Sequence, residues 1–302
     1  VPAVRTHPIR MITGYAPDAR GRDALALSGV IARALNGHVI VANVRPTTWE
    51  TPGPGRVDAE WKAYLRERQD AALAAAAKAG EEAGLTDVEP ATTAHRSAAL
   101  GLVRLSVQEE CDLIVVGSAP HGPRDRIAVG GTADQLLHTS RTPVAIAPRG
   151  YANDPPDTLT RITYAYHRSP TCDDALPLAI RAAVKLEVPL RLITVLLTEH
   201  GTPEVEEGVI EEVRDRYERD LRAAVRGPRR TAALRQGVST EVVAGPDAAR
   251  ALAETTWIPG ELLLCGSSSA GPVRRVFTGD MSLKLVRAAP CPVVVLARSA
   301  TR

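Results

Sequence analysis

The chain has 302 residues, of which 44% are hydrophobic and 24% charged, and its formal net charge is +2. That length suits two domains of about 150 residues, each able to bury a core. The balance is that of a globular protein. So small a charge argues against a basic nucleic-acid-binding surface, and no run reaches the roughly 18 apolar residues of a membrane helix. Arginine is far commoner than lysine, which occurs only at Lys62, Lys78, Lys185 and Lys284. Cys111, Cys172, Cys265 and Cys291 show no C-x-x-C spacing and no neighbouring His in the pattern of a zinc site. Cys111 and Cys265 fall at strand positions and read as small buried hydrophobes. The stretch Val1 to Thr13 has no apolar core of signal-peptide length. A reducing cytoplasm is the expected compartment.

Met11 to Tyr15 reads as a short strand, and Pro17 to Gly21 as a turn. Asp23 is the expected N-cap of a helix whose apolar side carries Leu25, Leu27, Val30, Ile31 and Leu35. Asn36-Gly37 stops it. Val39 to Val44 is a buried strand, and Pro46 to Gly55 a loop rich in Pro and Gly. A long alanine-rich helix runs from Asp58 to about Ala83, with Trp61 and Leu65 one turn apart. Val88 to Ala94 is a third strand, and Ala98 to Glu110 a helix. Asp112 to Gly117 is an apolar strand ending in glycine. A loop rich in Gly, Pro and Arg follows, and Gly130-Gly131-Thr132 opens a helix over Ala133 to Ser140. Pro143 to Pro148 is the fifth strand-like run. Strand, glycine loop and helix N-terminus together offer backbone N–H groups to an anion, usually a phosphate.

The segment around Arg149 to Asp157 reads as a linker, and then the order restarts. Strands are expected at Ile162 to Tyr166, Leu190 to Leu196, Val238 to Val243, Glu261 to Gly266 and Pro290 to Leu296. Helices are expected at Asp173 to Glu187, through Val205, Val209, Val213 and Tyr217, at Ala248 to Thr256, and after Gly279. Arg10 aligns with Arg161, Gly117 with Gly266 and Pro143 with Pro292 at nearly one offset, which indicates an internal duplication. The expected domains are 1–149 and 159–302, joined by 150–158. Strands alternating with helices imply parallel βαβ units and a sheet covered on both faces.

Over nearly all of its length the chain resembles a tandem member of the universal stress protein family. The resemblance rests on the strand–loop–helix element, on the final Pro290 to Val295 strand, and on segment order. It implies an α/β fold of two tandem domains, each a five-stranded parallel sheet with helices on both faces. It also implies pairing of the two domains through their last strands, with further dimerisation open. Family members that bind ATP carry Gly-x2-Gly-x9-Gly-(Ser/Thr) and an Asp at the end of the first strand. Here the first copy has Gly117, Pro120, Gly130 and Gly131 at those places, with Ala16 in place of the Asp. The second has Gly266, Ser269, Gly279 and Asp280, with His167 in place of the Asp.

A proline withdraws a backbone donor, so Pro120 does not replace a glycine that lets backbone approach phosphate. A shifted loop would use Gly122 and Gly131-Thr132 instead. The candidate nucleotide site of the first domain is therefore Gly117, Ser118, Gly122, Arg124, Gly130, Gly131 and Thr132. Thr132-Ala-Asp-Gln135 also reads as a capping box, which accounts for Thr132 without a ligand. In the second domain the candidates are His167, Gly266, Ser267, Gly271 and Gly279. Asp280 reads as an N-cap, and its charge opposes a triphosphate. His95, Arg96, His121 and Arg126 also fall near strand ends, as do Arg274 and Arg275 in the second copy.

The chain has no Gly-x4-Gly-Lys-(Ser/Thr) phosphate loop and no Gly-x-Ser-x-Gly nucleophile elbow. The expected function is a cytoplasmic, non-catalytic regulatory or stress-response protein with degenerate nucleotide loops. The alternative is an ATP-binding sensor that uses the first loop, Gly117 to Thr132. The expected ligand is an adenine nucleotide or a small anion, with ATP at the first domain only, no metal, no nucleic acid and no membrane. A protein partner is expected without its identity being readable.

Overall fold

The computed structural model describes residues 8–45, 47, 58–198, 203–226, 235–266 and 280–297. The side chains of Trp61, Leu65 and Val205 lie outside the described residues. The chain divides into two compact units, Val1–Arg124 with Val129–Pro155, and Asp125–Ala128 with Pro156–Arg302.

In the first unit the elements are β1 (Arg10–Gly14), α1 (Ala19–Leu35), β2 (His38–Arg45), α2 (Asp58–Glu82), β3 (Val88–Ala94), α3 (Ala98–Gln108), β4 (Leu113–Gly117), α4 (Gly131–Thr139) and β5 (Val144–Ala147). The strands lie in the order β3-β2-β1-β4-β5, and every neighbouring pair is parallel. The order runs outward from β1 to β3, then reverses through β4 to β5. With right-handed crossovers that reversal sends α1 and α2 to one face and α3 and α4 to the other. The strands carry apolar side chains because both faces are covered: Met11, Ile12, Ile40, Ile114 and Ile146 are all 0% exposed. Each such side chain contributes about 1.5–3 kcal/mol of burial.

α1 begins earlier than its apolar periodicity indicates. Its N-cap is Asp18, whose carboxylate accepts from the amides of Arg20 and Gly21 at 2.9 and 3.2 Å. Asp23 is not the cap. It lies within the helix, is buried, and accepts from the amides of Gly150 and Ala152, both at 2.9 Å. Ala152 belongs to a 3-10 turn, Tyr151–Asn153, and Gly150 is its N-cap, so Asp23 ties the segment after β5 to α1. Asn36 closes α1 in the left-handed region at φ 50°, a conformation Asn tolerates.

The second unit holds β6 (Arg161–Ala165), α5 (Pro170–Leu186), β7 (Leu190–Leu197), α6 (Pro203–Val225), β8 (Val238–Gly245), α7 (Ala248–Ala253), β9 (Glu261–Gly266), α8 (Asp280–Ala288) and β10 (Val293–Leu296). The order β8-β7-β6-β9-β10 is again wholly parallel. Each unit is thus the five-stranded parallel α/β sheet that the alternating pattern implies.

At the amino ends of its strands the second unit buries a polar network. Glu261, 1% exposed, accepts from Arg191 Nη2 at 2.7 Å, Arg161 Nη2 at 2.6 Å, the Ile258 amide at 3.1 Å, and the Thr163 hydroxyl. Arg191, 4% exposed, also donates to Thr163 at 3.0 Å, Thr255 at 2.7 Å and Glu241 at 3.2 Å. Its guanidinium sits 4.8 Å from the Trp257 ring centroid. A buried charge is tolerable when it is paired and its lone pairs are filled, as these are. At that end of the first unit lies a half-exposed pair: Arg10 reaches Glu109 at 3.3 Å with both side chains about 40% accessible, an arrangement worth little.

Candidate functional site

In an open parallel sheet, ligands bind beyond the carboxyl ends of the strands where the order reverses. In the first unit that point lies between β1 and β4. A cleft of about 190 Å³ opens there, lined by Gly14, Tyr15 and Ala16 after β1, Asn43 on β2, Gly117 at the end of β4, and Thr132 on α4. A larger groove of about 530 Å³ lies elsewhere in the same unit, bordered by Leu25, Ala26 and Arg33 of α1 and Ala79 and Glu82 of α2. It also touches Tyr15 after β1 and Asp18, the N-cap of α1, where the Asp18 carboxylate already takes the first-turn amides and its charge opposes a phosphate.

The glycines of the first loop do different things. A Cβ on Gly117 would lie 2.2 Å from the Arg20 carbonyl oxygen, so glycine there lets β4 end against the first turn of α1. Gly21 has the same reason: a Cβ would lie 2.0 Å from the Ala16 carbonyl oxygen. Packing alone therefore explains Gly117. Gly131 differs, because a Cβ on it would meet nothing within 4 Å.

The first turn of α4 corrects the capping box. The N-cap is Gly130, with no side-chain cap, and the helix runs over Gly131–Thr139. Thr132 is thus inside the helix. Gln135 does not reach back to it, since the Gln135 side-chain oxygen accepts from the Ser97 hydroxyl at 2.6 Å. Ser97 itself caps α3, accepting from the Leu100 amide at 3.3 Å, and its own amide donates to His95 Nδ1 at 3.0 Å. Gly130 gives the start of α4 no side-chain cap, and an uncapped first turn suits an anion.

The remaining candidates spread out. Ser118 is buried, with its amide on the Ala147 carbonyl at 2.9 Å. Gly122 is buried and its carbonyl accepts from Arg149. Arg124 is exposed. Only Gly117 and Thr132 of the seven line the cleft. Sequence reasoning passed over Asn43, whose amide donates to the Tyr15 carbonyl at 3.2 Å at the cleft edge. Its signal was one polar residue inside an apolar strand run.

In the second unit the described part of that edge carries larger side chains. Tyr164, Ser169, His167 and Cys172 align with Thr13, Asp18, Ala16 and Gly21 at one offset. Ser169 caps α5 as Asp18 caps α1. Tyr164 is 0% exposed and its hydroxyl donates to the Cys172 carbonyl at 3.0 Å. The Tyr166 hydroxyl donates to Asp173 at 2.7 Å. A Cβ on Gly266 would meet the Tyr164 hydroxyl at 3.5 Å and Cys172 Sγ at 3.9 Å, where Gly117 meets backbone at 2.2 Å. A tyrosine and a thiol therefore stand where the first unit has Thr13 and Gly21. The Gly266 carbonyl accepts from Ser282 of α8 at 3.1 Å. Ser267, Gly271 and Gly279 lie outside the described residues, as do Ser269, Arg274, Arg275 and the Asp280 side chain. α8 starts at Asp280.

All four cysteines are free and buried. Burial pushes the thiols of Cys111 and Cys265 up to about 11 and about 12, and drives Cys291 well above its ordinary value. His167 Nδ1 lies 3.3 Å from the Cys172 sulfur. Among the described residues no three His, Cys, Asp or Glu side chains group to hold a metal, and no helix is long and apolar enough to cross a membrane.

Comparison with known proteins bears on both units. The model of the universal stress protein family matches residues 13–148 and again 158–297. Universal stress proteins of Mycobacterium tuberculosis and Mycobacterium bovis are each 33% identical over 294 residues, covering 95% of this chain and 99% of theirs. Among solved structures, a universal stress protein from Archaeoglobus fulgidus superposes with a TM-score of 0.62 at 23% identity, covering 97% of both chains. One from Pseudomonas aeruginosa described as putative gives 0.56 at 15% identity, covering 95% of this chain and 92% of that one. With two matched domains and full-length relatives, the chain belongs to the universal stress protein family, as a tandem member.

Proposed function

We propose that this protein is a non-catalytic regulator of the stress response in the cytoplasm, whose two nucleotide loops have degenerated to different degrees. The observation that carries the reading is the contrast at the strand edge. The second unit fills it with Tyr164, His167 and Cys172. The first keeps a cleft of about 190 Å³, below the roughly 300–1,000 Å³ usual for small-molecule pockets. Regulation then works through a protein partner. Pairing of the halves through their last strands belongs to the same proposal. Calorimetry of the full chain with ATP tests it. The expected result is no micromolar site in the second unit, and two micromolar sites per chain would overturn it.

A second reading has its own observation. The uncapped start of α4 and the open space beside Gly131 favour an anion or nucleotide phosphate held by Gly130, Gly131 and Thr132, with Gly117, Ser118, Gly122 and Arg124 in the same loop. On that reading ATP binds once per chain, and Gly131→Asp abolishes binding while the fold persists.

A further inference from the structure

We propose that Cys172 and His167 form a thiol–imidazole dyad that makes Cys172 the peroxide-reactive cysteine of this protein. The proposal stands apart from the nucleotide reading, since it requires no bound ligand. Its basis is geometric. Cys172 is the third residue of α5, at the positive end of a 17-residue helix. Its sulfur lies 3.3 Å from His167 Nδ1, the nucleophile–base arrangement that activates a thiol. Tyr164 and Ser169 fix it: the Tyr164 hydroxyl donates to the Cys172 carbonyl at 3.0 Å, and the Cys172 amide donates to Ser169 Oγ at 3.3 Å.

The surroundings agree with that chemistry. Burial pushes the Cys172 thiol up, and hydrogen bonds from His167 and Ser169 outweigh it, so the thiol lies below its ordinary value. The hydrogen bond with Cys172 raises the His167 imidazole against the opposing effect of burial, with Asp173 assisting. The other titratable groups facing the pair are Tyr164 of β6, Tyr166 just after it, Cys265 of β9, and Asp220 of α6 through Tyr166, paired with Arg168 at 2.9 Å. Burial holds both phenols and Cys265 neutral. The thiol is 4% exposed and His167 is exposed, so a water-sized oxidant suits the site and the imidazole links it to solvent.

The step balances. His167 takes the sulfur's proton. The thiolate attacks the terminal oxygen of a hydroperoxide, forming an S–O bond as the O–O bond breaks. The imidazolium returns the proton to the departing oxygen. Cysteine is oxidised to the sulfenic acid and the hydroperoxide is reduced to an alcohol, or to water when it is hydrogen peroxide.

The test exposes the folded full-length chain to hydrogen peroxide and quenches with catalase. It then unfolds the chain, alkylates the remaining thiols with iodoacetamide, and follows each cysteine by peptide mass spectrometry. Cys111, Cys265 and Cys291 are internal controls. Cys172 should lose alkylatable thiol at least about tenfold faster than any of them, since one unit of thiol pKa changes the thiolate fraction about tenfold. His167→Gln should slow Cys172 about tenfold and leave the controls unchanged. The wild-type rate should level off at a pH below that of an ordinary thiol, a readout needing no variant. Equal rates at all four cysteines, a rate indifferent to His167→Gln, or a midpoint at or above the ordinary thiol value would each overturn the proposal.

Discussion

Asp18 holds the first turn of α1 beside the cleft, and Asp18→Ala should cost about 0.5–2 kcal/mol in chemical denaturation. Burial raises its carboxyl, but the Arg20 side chain and the amides of Gly21 and Arg20 hold it below its ordinary value. Its folded value is depressed, so its contribution is present above the ordinary carboxylate range and fades as pH falls through the lowered value. Asp18→Asn keeps an acceptor and should flatten that acid dependence. Asp18 and Asp23 show what the sequence could and could not yield at this scale. Both precede apolar periodicity, and the stronger periodicity starts at Leu25, which favours Asp23. What removes Asp23 from the cap is a pair of amides more than 120 residues away, at Gly150 and Ala152. No local pattern carries that contact.

Among the elements, the two glycine-ended strands give opposite expectations from one substitution. Gly117→Ala drives a Cβ to 2.2 Å from backbone and should destabilise by about 1–3 kcal/mol. Gly266→Ala meets only side-chain atoms at 3.5 and 3.9 Å and should stay within about 0.5 kcal/mol of wild type. Equal losses at both would mean that the two sites are built alike. At α4, Gly131→Asp adds an acid to a helix first turn, where it is favourable, so the melting temperature should hold or rise slightly. Strand and helix order were legible because apolar periodicity marks them. β3 and β9 coincide with the sequence reading end to end. The first turn of α4 was not legible. Thr132 and Gln135 have capping-box spacing, but Ser97 of another helix already occupies Gln135.

Across the whole molecule, duplication has produced two units of one topology with unlike edges. At the amino ends of the strands, the second unit buries Arg191 and Glu261, whereas the first has Ile40 and Asp112 at the matching positions and a half-exposed Arg10–Glu109 pair. Glu261→Ala strands two arginines and should cost about 3–5 kcal/mol. Arg10→Ala should fall within about 0.5 kcal/mol of wild type in the same denaturation series. At the carboxyl ends, Tyr164 and Cys172 stand where Thr13 and Gly21 stand in the first unit. Aligning the halves made those substitutions readable, but not their effect, which depends on a hydroxyl reaching a carbonyl eight residues on. A second unit closed to nucleotide by Tyr164, His167 and Cys172 leaves ATP at most one place to bind. Titration calorimetry of the full chain with ATP tests it most directly, run beside Gly131→Asp. At most one site per chain is expected, absent from the Gly131→Asp variant. Two sites in the wild type, or a site that survives Gly131→Asp, would contradict it.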